Sequence, residues 1–169
     1  MKEIFVRLDH CMGCKSCEMA CIVEHSSSKS LFGAISEKPA SVRRVYVETA
    51  EGQKLPLVCR HCEDAHCVAV CRTGAMYQDP ITGIVDRKEE SCVGCWMCAM
   101  VCPYGVIGRR SETRVAVKCD RCKDLDIPAC VKACPTGALL YVTQNEFAEI
   151  LRKEAAAKIA RESKNLARA

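Results

Sequence analysis

Aromatic side chains are scarce: Phe, Trp and Tyr together make up 5% of the 169 residues, with a single Trp. A chain of this length forms about one ordinary domain or two very small ones. With so few large side chains, apolar packing is a weak organiser. No apolar run of about 18 residues is present, so no membrane-spanning helix is expected. The opening MKEIFVRLDHC reaches the first cysteine without the apolar core of a secretory signal. Neither a G-x-G-x-x-G fingerprint nor a P-loop occurs, so nicotinamide, flavin and nucleoside triphosphate sites are not indicated.

Cysteine, by contrast, is abundant, with 16 residues. A disulfide scaffold of that density needs an oxidising compartment. Without a signal the expectation is a reducing, cytoplasmic setting, the exception being export on a partner that carries the signal. Whatever the cysteines bind is then expected to form part of the core.

The cysteines fall into four quartets. The first, CMGCKSCEMAC, holds Cys11, Cys14, Cys17 and Cys21 in C-x2-C-x2-C-x3-C spacing. The third, CVGCWMCAMVCP, repeats it with Cys92, Cys95, Cys98 and Cys102, followed by Pro103. The second, CRHCEDAHCVAVC, places Cys59, Cys62, Cys67 and Cys71 with a longer middle spacer, and the fourth, CDRCKDLDIPACVKACP, stretches that spacer further between Cys122 and Cys130. Its outer members are Cys119 and Cys134, and every quartet begins C-x2-C and ends C-x3-C.

This is the bacterial ferredoxin spacing. Three thiolates on a tight loop reach corners of one 4Fe-4S cubane, and the fourth ligates the other cluster of a pair. Quartets must therefore come in twos. Sixteen cysteines at four ligands each make four clusters with none left over. The formal charge of +4 counts the cysteines as neutral. With sixteen thiolates and four oxidised cores the holoprotein comes to about −4, which removes the case for nucleic acid as a partner. A zinc-bound interaction module is the reading from a different class, since C-x2-C pairs also build zinc sites; the third cysteine of the ferredoxin run and the C-x3-C endings argue against it.

After each of the last three quartets a phrase recurs, CRTGAMYQD, CPYGVIGRR and CPTGALLYV, in which a Gly three residues past the last Cys suits a turn and the following apolar residues can start a strand. The first quartet continues instead as CIVEHSSS.

On these quartets the chain resembles the four-cluster, double-ferredoxin subunits of the dimethyl sulfoxide reductase iron-sulfur subunit type. Within that group it looks most like the ferredoxin-like electron-transfer subunit of nickel carbon monoxide dehydrogenase. The resemblance covers residues 1–143 and implies an α+β fold of two bacterial-ferredoxin-like βαβ-type halves. Quartets 1 and 4 would form one half and quartets 2 and 3 the other, with an insert at 22–58 and a C-terminal helix over 144–169 as an arm for a partner. It also implies nested ligation. One cluster would take Cys11, Cys14, Cys17 and Cys134; the second Cys21, Cys119, Cys122 and Cys130; the third Cys59, Cys62, Cys67 and Cys102; the fourth Cys71, Cys92, Cys95 and Cys98. Spacing alone leaves sequential pairing open.

By resemblance the function is electron relay, without catalysis of its own, between a catalytic oxidoreductase and a second redox protein. Carbon monoxide dehydrogenase is the favoured enzyme, with a hydrogenase, formate dehydrogenase or molybdenum oxidoreductase as alternatives; the second protein is a flavoprotein, hydrogenase or ferredoxin. Ile22 and Arg72 stand where the simple motif has Pro, and Arg72 is either a charge that raises a cluster potential or a solvated side chain. Some relatives replace a ligand by Trp, whereas Trp96 adjoins an intact Cys95.

Beyond the cysteines, the insert reads as a polar loop, HSSSKS, and a strand over 42–48. Other strands are expected at 4–8, 84–86, 115–118 and 139–142. Thr143 and Glu146 have capping-box spacing for a helix anchored by Phe147, Ile150 and Leu151. His10, His61 and His66 each precede a cysteine and are expected to donate hydrogen bonds near clusters or face solvent, as are Lys15, Arg60 and Arg121.

Overall fold

A computed structural model describes residues 1–110 and 112–166. The chain forms β1 (Lys2–Val6), a 3-10 turn at Leu8–His10, α1 (Ser16–Glu24), α2 (Leu31–Ser36), β2 (Val45–Ala50) and β3 (Gln53–Val58). It continues with α3 (His66–Ala69), β4 (Met76–Gln78), β5 (Val85–Arg87), α4 (Met97–Met100), β6 (Gly108–Arg109) and β7 (Ala116–Val117). α5 (Ala129–Lys132), β8 (Leu139–Thr143) and α6 (Gln144–Leu166) complete it. The architecture is small α+β: short antiparallel pairs, single-turn helices and one long terminal helix.

The strand pairings decide which quartets meet. β1 pairs antiparallel with β8 from Lys2 opposite Thr143 to Val6 opposite Leu139, so the first quartet, which follows β1, lies beside the fourth, which precedes β8. α1 packs against α5 as a consequence. β4 pairs with β5, which sets the end of the second quartet against the start of the third, and α3 packs on α4. Where the phrase recurs, Gly74, Gly105 and Gly137 take left-handed conformations, and their N–H groups bond back to the carbonyls of Cys71, Cys102 and Cys134 at 3.2, 3.2 and 3.4 Å.

The strands expected near 4–8, 84–86, 115–118 and 139–142 form, the first ending at Val6 because the chain turns into the 3-10 segment. The insert differs from its expectation of a loop and one strand. It holds the helix α2, capped where Ser30 Oγ accepts from Gly33 N at 3.2 Å, and a full hairpin, β2 with β3. β3 was concealed by Pro56, which sits within it opposite Val47; this pair has no further strand on either side, and such an edge tolerates a missing N–H. Glu18, buried on α1, accepts from Val47 N at 2.6 Å and so ties the hairpin to the first quartet's helix.

α6 starts where the capping box predicts. Thr143 N donates to Glu146 Oε2 at 2.7 Å, and Glu146 N to Thr143 Oγ1 at 3.3 Å. Its first turns are held by Phe147 on Phe5 and by Glu154 paired with Arg7. Leu151 and Ile159 are exposed. Positions 167–169 of the expected helix lie outside the described residues. No described helix is long and apolar enough to cross a membrane.

Candidate metal centres

All sixteen cysteines are free thiols. Three cavities gather twelve of them in sets of four. Cys11, Cys14, Cys17 and Cys134 line one; Cys59, Cys62, Cys67 and Cys102 line the next; Cys71, Cys92, Cys95 and Cys98 line the third. The remaining four converge in the core, where burial and then the neighbouring thiols Cys119, Cys21, Cys122 and Cys17 raise the Cys130 thiol. Each set draws three cysteines from one quartet and one from another.

The loops that present these thiols are wound by left-handed residues. At the position just before the second cysteine of each quartet stand Gly13, His61, Gly94 and Arg121, all with positive φ. Glycine adopts that conformation freely, whereas a side chain there costs about 1–2 kcal/mol. His61 and Arg121 bear that cost and are buried, 7% and 4% exposed. Arg121 Nη1 donates to the Lys2 carbonyl at 3.3 Å, so it does not face solvent as one of its two expected roles would have it. Lys15, Arg60, His66 and Arg72 are exposed, which gives Arg72 its solvated reading. His10 is bonded to Arg7.

Sulfur is met by backbone donors. Arg44 N lies 3.2 Å from Cys21 Sγ, Met76 N 3.3 Å from Cys71 Sγ and Arg121 N 3.3 Å from Cys119 Sγ. Thr73 and Thr136 hydroxyls stand at 3.7 and 3.8 Å from Cys71 and Cys134 Sγ. At Cys71 burial raises the thiol pKa, but the N–H groups of Met76, Thr73 and Ala75 with the Thr73 hydroxyl outweigh it and hold the group below its ordinary value. Deeper thiols go the other way. Burial pushes Cys17 and Cys98 up to about 11 and Cys119 up to about 12. A metal must therefore displace protons from these sites, and burial without a bound cation leaves them neutral.

The fit to iron-sulfur groups rests on two observations. Four soft sulfur donors surround each cavity, the donor set suited to Fe–S clusters. One cavity also has an orphan donor. His61, which lines the cavity with Cys59, Cys62, Cys67 and Cys102, accepts at Nδ1 from Val85 N at 3.1 Å, which leaves the hydrogen on Nε2, and Nε2 is buried without a partner. Buried N–H groups nearly always find acceptors, and sulfur is the acceptor chemistry available there.

Several charged residues escaped the sequence reading. Asp120 accepts from Arg44 and lies 3.2 Å from His25 Nε2. Burial alone would raise its carboxyl, but the His25 hydrogen bond and the Arg44 charge hold it well below the usual carboxylate range. The network joins the insert, α1 and the fourth quartet. Lys118 is 1% exposed beside the cavity of Cys59 and Cys67. Its only signal in sequence was a charge ending the apolar run VAV directly before Cys119.

Comparison with known proteins agrees with this chemistry. Residues 50–144 match the family described as 4Fe-4S dicluster domain. An "Iron-sulfur protein" of Rhodospirillum rubrum is 39% identical over 96% of this chain and 93% of its own. "Electron transport protein HydN" of Escherichia coli K12 is 35% identical over 83% of this chain and 87% of its own, and "Protein NrfC" of the same strain 35% over 85% and 68%. A chain of the active site complex BamBC of benzoyl coenzyme A reductase aligns over 96% of both chains with a TM-score of 0.46 and 23% identity, a likeness too weak to carry a conclusion.

Proposed function

From a chain that belongs to the 4Fe-4S dicluster domain family, and so is an iron-sulfur electron-transfer protein, we propose a subunit that holds four 4Fe-4S clusters and serves a catalytic oxidoreductase and a second redox protein. The observation that carries the number is the convergence of the sixteen thiols in sets of four. We assign the ligands in the nested way: Cys11, Cys14, Cys17, Cys134; Cys21, Cys119, Cys122, Cys130; Cys59, Cys62, Cys67, Cys102; and Cys71, Cys92, Cys95, Cys98. In support, β1 with β8 and β4 with β5 bring together the quartets that this pairing requires, giving two ferredoxin-like halves.

Each bound cluster would supply one-electron redox chemistry. The protein's part is to hold the groups in order. Cys17, Cys21, Cys119 and Cys130 share one buried cluster on which Cys59 packs, and Cys98 shares another with Cys67, Cys71 and Cys92, the packing on which we order the sets first, second, third and fourth. Cys14 and Cys95, the exposed cysteines, belong to the two end sets, where redox partners would come near.

The catalytic partner we propose is carbon monoxide dehydrogenase, on the resemblance that the quartets and the short length carry. Metal analysis tests the clusters: about 16 iron and 16 sulfide per chain are expected, and zinc without sulfide would establish the zinc-module reading instead. Mixing the loaded protein with purified carbon monoxide dehydrogenase, hydrogenase or formate dehydrogenase and their substrates tests the partner. Bleaching of the cluster absorbance fastest with carbon monoxide is expected; faster bleaching with another pair reassigns the partner.

A further inference from the structure

Lys118 is an ammonium group enclosed in protein without a carboxylate. Its Nζ donates to the carbonyls of Val85 and of Cys119, the latter at 2.8 Å, and no acidic side chain among the described residues lies within salt-bridge distance. A buried cation is unfavourable unless an anion compensates it. Lys118 shares a cavity wall with Cys59, Cys62, Cys67 and Cys102. Burial raises the Cys67 thiol, and the Lys118 charge is the largest influence opposing it.

His61 belongs to the same assembly. The Val85 peptide grips both residues, its N–H donating to His61 Nδ1 and its carbonyl accepting from Lys118. The Val85 N–H therefore holds the imidazole of a cavity-lining residue with its Nε2–H buried and unpartnered. His61 keeps a left-handed, non-glycine conformation there, a strain that persists only where the surrounding structure holds it.

The charges around the other three sets are arranged differently. Next to Cys17 the buried group is the anion Glu18. Around the second set the one carboxylate of Asp120 faces both Arg44 and His25, and Arg121 is a further buried cation whose Nη1 donates to the Lys2 carbonyl at 3.3 Å. At the fourth, Arg87 is paired with Glu89 at 3.2 Å. On the third wall Arg60 and Asp64 are exposed and screened by water.

We propose that Lys118 and His61 are positioning residues that raise the midpoint potential of the group held by Cys59, Cys62, Cys67 and Cys102. A nearby positive charge and an N–H donor to sulfur both stabilise the reduced, more negative form and raise the midpoint potential. This rests on the four-cluster reading above. Reduction adds one electron, supplied by the mediator in the test below.

The experiment is a mediator titration followed by electron paramagnetic resonance on the anaerobically purified, iron-loaded protein. Iron and sulfide in the unmutated chain are measured first, so a failure of the four-cluster reading is visible there. In Lys118→Met, with iron retained, one component is expected to lose at least tenfold in its reduction equilibrium, which is 59 mV for a one-electron couple. His61→Leu is expected to lower that same component, and Lys118→Arg to leave it in place. Unchanged midpoints at full iron content, or two variants that lower different components, would overturn the proposal. If Lys118→Met loses iron, Lys118→Gln, which keeps a donor for the Val85 carbonyl, is read in its place; loss of iron there too makes Lys118 a purely structural residue and overturns the proposal equally.

Discussion

Phe5 of β1 and Phe147 of α6 stack ring on ring, their centroids 4.4 Å apart and their planes 14° from parallel. Both are half-buried, and few other apolar contacts hold the helix, since Leu151 and Ile159 are exposed. Phe147→Ala is therefore expected to release α6 while the cysteine sets stay intact. An aromatic pair contributes about 0.5–1.5 kcal/mol beyond area burial, enough for a several-fold faster proteolytic clipping of the tail. Unchanged clipping would show that Arg7 with Glu154 suffices to dock it.

The N-terminus of that helix gives a pH dependence. Hydrogen bonds from Thr143 N–H and its hydroxyl hold the Glu146 carboxyl below its ordinary value of 4.5. A folded-state pKa that is depressed means the contribution is fully present above about 4.5 and is lost as pH falls through the lower, folded value. Amide exchange at Glu146 should accelerate on acidification in the parent chain, beyond the intrinsic pH effect. In Glu146→Ala that extra acceleration should vanish.

Glu18 tests the tie between the insert and the first quartet. Glu18→Ala leaves the Val47 N–H buried and unpaired, a cost of about 1–3 kcal/mol. Glu18→Gln keeps a carbonyl acceptor and should recover most of it. Iron loss to a chelator, followed in the cluster absorbance, should be faster in the Ala variant than in the Gln variant; equal rates would mean the charge, not the acceptor, matters.

Two glycines separate space from backbone conformation. A Cβ on Gly94 would fall 2.2 Å from the Arg114 carbonyl oxygen, whereas one on Gly74 meets nothing within 4 Å, although both residues have positive φ. Gly74→Ala should cost about 1–2 kcal/mol from conformation alone. Gly94→Ala must also move backbone, and the expected result is loss of about a quarter of the iron, the share of one cluster in four.

Much of this was legible in the one-dimensional pattern. Ligand spacing is a local property: three thiolates reach one cubane only from a tight loop, so C-x2-C and C-x3-C are visible as strings. The recurring Gly three residues past Cys71, Cys102 and Cys134 is likewise a local turn, and the capping box of Thr143 and Glu146 closes within one helical turn. The hairpin strand through Pro56 was hidden because its edge position, not its residues, makes proline acceptable.

What the sequence alone determined is the donor chemistry, sixteen thiols in four runs with ferredoxin spacing, because each run is short enough for its residues to meet without help from the rest of the chain. Only the tertiary structure decided who stands next to whom. Val6 opposite Leu139 brings Cys134 to the loop of Cys11, and the Val85 peptide holds His61 and Lys118 against the cavity of Cys59 and Cys67. Those partners are 24 to 133 positions apart, and contacts at such separation arise from strand pairing and burial, which no local spacing records.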